Sequence, residues 1–136
     1  MSTVTMIARA SQGIPAVNTA HWLIRLPLAA IILQQGLQKS PIDAADAEAF
    51  GLPVALWGLA ALGEVIAGAA LIAGAVIRSW IGDLMTRAAG AAIAAIVTGV
   101  LVVAYPAPLG DILLYNQFHV LLLVGGLFFA LRGNRA

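Results

Sequence analysis

Four long apolar runs, approximately residues 22–38, 52–77, 84–105 and 112–131, occupy most of a chain of 136 residues. A bilayer core of about 30 Å needs roughly 20 mainly apolar residues per helix. Backbone groups in lipid must be satisfied within the spanning element, so runs of this length predict helices rather than strands. The first run is the shortest and most polar, holding Arg25, Gln34 and Gln35; the second holds a single acid, Glu64. The third has only Arg87 near its start, and the fourth has no charge after Asp111. Composition agrees: 62% of residues are hydrophobic and 10% charged, against about 25% charged in an ordinary soluble domain. The expectation is all-α, a single membrane domain over residues 1–136, with short Pro- and Gly-containing loops joining antiparallel neighbours in a four-helix bundle.

Loop charge predicts the orientation, because Lys and Arg are retained on the cytoplasmic side. Arg9, Arg78, Arg87, Arg132 and Arg135 fall on one side of such a bundle, and Lys39 on the other. Both termini are therefore expected in the cytoplasm, in an inner (cytoplasmic) membrane, with Asp43, Asp46 and Glu48 in an outer loop. The first run continues into Gln34, Gln35 and Gln38 rather than a small-residue cleavage site, so it is expected to be retained. The net charge of +1 provides no basic stripe for nucleic acid. With no cysteine, thiolate nucleophiles, thiolate zinc sites and iron–sulfur clusters are all excluded.

Polar residues at membrane depth are costly, usually face a bundle interior and find partners there. Arg25, Leu28, Ile32, Gln35 and Lys39 follow a three-and-four spacing along one face of the first span. Trp57, Glu64, Leu71 and Arg78 repeat every seven residues in the second, and Tyr115, His119, Leu122 and Gly126 share a face of the fourth. At a rise of 1.5 Å per residue, His119 is expected about 10 Å and Glu64 about 14–18 Å below the outer surface. Gln34, Gln35, Glu64, Tyr115 and His119 are therefore expected to converge in the outer half, with Arg25 and Arg78 guarding the inner side.

Each of these residues has two readings. Glu64 is either a neutral or paired carboxyl tying helices together or a proton-transfer or ligand-binding group. His119 either bonds a neighbouring helix or offers a hydrogen bond to a quinone or a ligand to a metal centre. Arg25 and Arg78 read first as interfacial anchors, and Trp22, Trp57, Trp80 and Tyr105 as residues of the interface belt. Small residues four apart, such as Gly63 with Ala67, Ala70 with Gly74, and Ala91 with Ala95 and Gly99, suit close helix packing inside the bundle or against another subunit. His21 and His119 fall at different depths, which speaks against a haem held between two histidines. No metal-ligand spacing, phosphate loop or nucleophile triad appears.

The passages RLPLAAIILQQGLQK and GEVIAGAALIAGAVIR carry Arg25, Gly36 and Lys39, then Glu64, Gly68, Leu71, Gly74 and Arg78. This ordered set resembles the DoxX family of small four-helix membrane proteins, and the similarity runs over the whole chain. The resemblance marks Arg25, Lys39, Glu64 and Arg78 as family-like polar positions. It implies a membrane subunit of a quinone-linked redox complex, with a quinone bound noncovalently and the redox cofactor supplied by other membrane subunits. No complete catalytic set is present, so activity by the chain alone is not expected. A noncatalytic accessory subunit of a larger respiratory or photosynthetic assembly is the alternative, and a proton or small-solute path through Glu64 a third reading.

Overall fold

The computed structural model describes residues 1–135. Seven helices follow one another: α1 (Thr3–Gln12), α2 (Trp22–Gln38), α3 (Ala44–Ala49), α4 (Val54–Val76), α5 (Trp80–Val103), α6 (Leu109–Tyr115) and α7 (Gln117–Arg132). No strand occurs among the described residues. The all-α expectation holds, and α2 has the expected bounds. Two helices, α4 with 23 residues and α5 with 24, are long and apolar enough to cross a membrane.

The fourth expected span is not one helix. It breaks at Asn116, and α6 and α7 meet at 98°, so that the pair is long enough to cross only if both are counted together. Asn116 leaves helical geometry at φ −120° and ψ 46°, and its Oδ1 lies 2.7 Å from His119 Nδ1. Asparagine is a weak helix former that favours caps and turns, and here it ends α6 and begins α7. The helix that packs in the bundle is thus α7, 16 residues long or about 24 Å. α2, at 17 residues, is about 25 Å long and also shorter than a bilayer core. The third run starts earlier than expected, at Trp80, because Ser79 caps α5 by accepting the Ile81 N–H at 3.3 Å. Asp83 and Arg87 then fall inside the helix as a 2.9 Å pair one turn apart. α1 and α3 were not legible as apolar runs; Asp43 caps α3 through a 2.9 Å bond from Ala45 N.

Helices α2, α4, α5 and α7 pack in that order, each against the next, with a thinner contact closing α7 onto α2. Leu28, Ile32, Leu71, Ile93, Val97 and Phe129 form the buried centre. Backbone proximity fixes two of the seams. A Cβ on Gly90 would meet Gly126 O at 2.5 Å, and one on Gly126 would meet Gly90 O at 2.8 Å, so α5 and α7 cross backbone to backbone. Likewise a Cβ on Gly36 would meet Ala61 O at 2.8 Å where α2 crosses α4. Small residues at helix crossings permit such close approach of two backbones. The expected Ala91, Ala95 and Gly99 stripe differs: its residues are exposed, and a Cβ on Gly99 would meet nothing within 4 Å.

Candidate functional site

At the end of the bundle where α2 finishes and α4 begins, a cavity of about 490 Å³ opens between α4 and α5. Its polar lining is sparse: Gln35 from α2, Lys39 just past its end, Glu64 from α4, Tyr105 after α5 and His119 from α7. Apolar walls come from α4 and α5, including Ala60, Ile96 and Val100. This composition suits a lipophilic molecule with a few hydrogen-bonding groups.

The charged floor of the cavity is paired. Lys39 Nζ donates to Glu64 Oε2 at 2.7 Å and to Gln35 O at 3.2 Å. Glu64 is 1% exposed at its side chain and Lys39 16%, so the carboxylate depends on the ammonium and the ammonium retains some contact with the surroundings. The same ammonium lies 5.1 Å from the centre of the Trp57 ring, on which Phe50 stacks at 5.2 Å and 18°. Trp57 lines the cavity, and its Nε1–H is buried without an acceptor among the described residues. Buried donors normally have partners, which makes this indole N–H the one buried donor among the cavity's residues left without one. On the other wall, Asn116 Oδ1 lies 2.7 Å from His119 Nδ1. An amide oxygen only accepts, so the proton is on Nδ1 and the neutral ring has Nε2 as an acceptor. Tyr105 covers the His119 ring at 5.2 Å and Phe118 meets it edge-on at 5.4 Å. The residues lining the cavity therefore include an unpaired indole donor on α4 and an imidazole acceptor on α7.

Of the five residues expected to converge, Gln35, Glu64 and His119 line the cavity, and Gln34 and Tyr115 do not. Gln34 is exposed. Tyr115 ends α6, beyond the bend, and is 84% exposed. The seven-residue stripe of α4 did place Trp57 and Glu64 on one face, yet Trp57 belongs to the cavity and not to an interface belt. Lys39 shared the Gln35 face, which was the available signal for its pairing with Glu64; its position beside Ser40 and Pro41 made it read as a loop charge.

The opposite end corrects a second expectation. Arg25 is not an interfacial anchor: it is 0% exposed. Its Nη1 donates to Leu71 O at 2.6 Å and Thr86 Oγ1 at 3.0 Å, and its Nη2 to Asn134 Oδ1 at 2.8 Å. Its Nε donates to His21 Nδ1 at 3.2 Å, and its guanidinium lies 4.6 Å from the centre of the Phe129 ring. Asn134 Nδ2 in turn donates to Gly74 O at 2.7 Å. The planar fork of an arginine suits this set of diverging acceptors, and it ties α2, α4 and α5 to the tail. His21, just before α2, is pushed below its ordinary pKa by burial and then by the Arg25 and Arg132 guanidinium groups. Arg78 is exposed, in the turn between α4 and α5.

Among the described residues, no group of three or more His, Asp or Glu side chains is placed to hold a metal ion. No family model matches the chain, and neither a curated protein nor a solved structure shows significant similarity to it.

Proposed function

We propose that the chain is a DoxX-like, membrane-spanning subunit of a quinone-linked redox assembly, and that the cavity beside Lys39, Glu64 and His119 receives the head of a lipophilic quinone. The observation that carries this reading is the buried, unpaired Trp57 Nε1–H at the wall of a largely apolar cavity that also offers the His119 Nε2 acceptor. A quinone carbonyl accepts from a donor such as Trp57, and a quinol hydroxyl donates to an acceptor such as His119. Glu64 and Lys39, already joined, hold a proton-exchanging pair at the floor. The chain contributes the pocket, and other membrane subunits contribute the electron-transfer cofactor.

In this reading α2, α4, α5 and the α6–α7 pair form a four-span antiparallel bundle. The shorter α2 and α7 are accommodated by flanking polar residues and local thinning of the bilayer. Both termini are cytoplasmic, following the excess of arginine at the end that holds Arg9, Arg78 and Arg132. The exposed Ala91, Ala95 and Gly99 face of α5, of which Ala95 and Gly99 also line the cavity, favours a second reading in which another membrane helix covers this opening and the chain is a noncatalytic brace. Purification from native membranes in mild detergent separates the two. A quinone recovered in near-stoichiometric amount, and lost in Trp57→Leu and His119→Ala, supports the first; partner subunits with no quinone support the second.

A further inference from the structure

The tail end of the bundle has a cavity of its own, about 310 Å³, lined by His21, Ala75, Ile77, Arg78, Ser79 and Asn134. Its polar side chains supply mainly donors. His21 Nδ1 accepts from Arg25, so the ring proton is on Nε2. Ser79 Oγ accepts from Ile81 N, which leaves its hydroxyl proton to give. Arg78 makes no hydrogen bond or ion pair to another described residue. Asn134 is largely engaged within the chain: Oδ1 accepts from Arg25 and Thr86, and one Nδ2–H donates to Gly74 O.

The charged side chains nearest this cavity are mainly basic. Arg25 stands behind it with no carboxylate partner, and Arg132 Nη1 is buried without an acceptor among the described residues. The nearest acid along the chain, Asp83, is held by Arg87 and by the Asn134 N–H. Ser79 also caps α5, whose 24 residues direct a partial positive charge at the same place, set against the partial negative charge of the α4 C-terminus at Val76.

We propose that this cavity binds the phosphate headgroup of an anionic phospholipid, with Arg78, Ser79 and His21 as its donors. Two features select a lipid over a free oxyanion. The volume is about ten times the roughly 30 Å³ of one water, more than a bare phosphate fills, and Ala75 and Ile77 give it an apolar wall. Trp80, 74% exposed beside Ser79, is a residue type that locates at the headgroup level. Basic pockets between spanning helices on the cytoplasmic side are where anionic headgroups bind. The proposal rests on the membrane-spanning reading and not on the quinone.

The test begins with flotation of the purified protein on phosphatidylcholine vesicles; a protein that stays behind overturns the membrane-spanning reading and this proposal with it. Native mass spectrometry from detergent then compares retention of phosphatidylglycerol and phosphatidylcholine. The expected result is about a fivefold preference for phosphatidylglycerol, the effect of one basic residue near a charged headgroup. Arg78→Gln, at an exposed position, and Ala75→Leu, which fills the cavity, each bring the preference to about one. Arg9→Gln, which removes a basic residue outside the lining, leaves it unchanged. Equal retention by the unaltered protein, or a preference that survives both Arg78→Gln and Ala75→Leu, overturns the proposal. Displacement of phosphatidylglycerol by inorganic phosphate at equal concentration overturns the choice of a lipid.

Discussion

Lys39 Nζ lies 2.7 Å from Glu64 Oε2, so the residue that caps the end of α2 and the middle of α4 are joined by an ion pair whose acid is almost wholly buried. Removing one partner of a buried pair leaves an uncompensated charge, at a cost of about 3–5 kcal/mol, whereas replacing both with apolar groups is often neutral. Lys39→Met is predicted to destabilise the bundle by about 3 kcal/mol and Glu64→Gln by less, because the lysine retains some exposure. The double variant Lys39→Met with Glu64→Leu recovers most of the loss. Denaturant unfolding in detergent, arranged as a double-mutant cycle, measures the coupling. Additive losses would mean that the pair contributes nothing as a pair.

The crossing of α5 and α7 makes a contrasting pair of glycine variants. Gly90→Ala directs a methyl at the Gly126 carbonyl and is predicted to cost about 1–3 kcal/mol, the range for overpacking. Gly99→Ala meets nothing within 4 Å and is predicted to be neutral or to stabilise by up to about 1 kcal/mol through helix propensity. Midpoints of thermal unfolding in detergent decide the order of the two.

His21 links the tail-end network to pH. Its folded pKa is lowered from the ordinary value of 6.5, so the unfolded chain binds the proton more readily. Stability is then fully present above about 6.5 and falls as the pH drops through that value towards the lower folded pKa. His21→Gln is predicted to flatten this part of the profile, read from unfolding midpoints between pH 7 and the lower limit of reversible unfolding.

With no cysteine in the chain, single cysteines report topology without background. Ser2→Cys and Arg135→Cys are predicted to react with an impermeant maleimide only after cells are lysed. Asp46→Cys is predicted to react in intact cells. Labelling of all three from outside would contradict the four-span arrangement.

The apolar runs were legible because hydropathy is summed over many residues, and α2, α4 and α5 follow from it directly. What the runs hid were local side-chain effects. Asn116 leaves helical geometry and so breaks the fourth run, and Ser79 moves the start of α5 back through a single cap. The cavity was partly legible: stripes placed Gln35, Glu64 and His119 on interior faces, but the bend at Asn116 carries Tyr115 away from them. Arg25 was misread for a different reason. A basic residue near a span end ordinarily reaches for the headgroups, and nothing local in the sequence announces that Leu71 O, Thr86 and Asn134 will come together around it.

The cavity is tested most directly through Trp57 itself. Of the three tryptophans, Trp22 and Trp80 can be replaced by phenylalanine, leaving the cavity residue as sole fluorophore. Titration of this protein with a short-chain ubiquinone analogue is predicted to give saturable quenching, and Ala60→Phe, which fills the cavity wall, is predicted to abolish the saturable part. Quenching that rises linearly without saturation, and equally in both proteins, would contradict a quinone site beside Trp57.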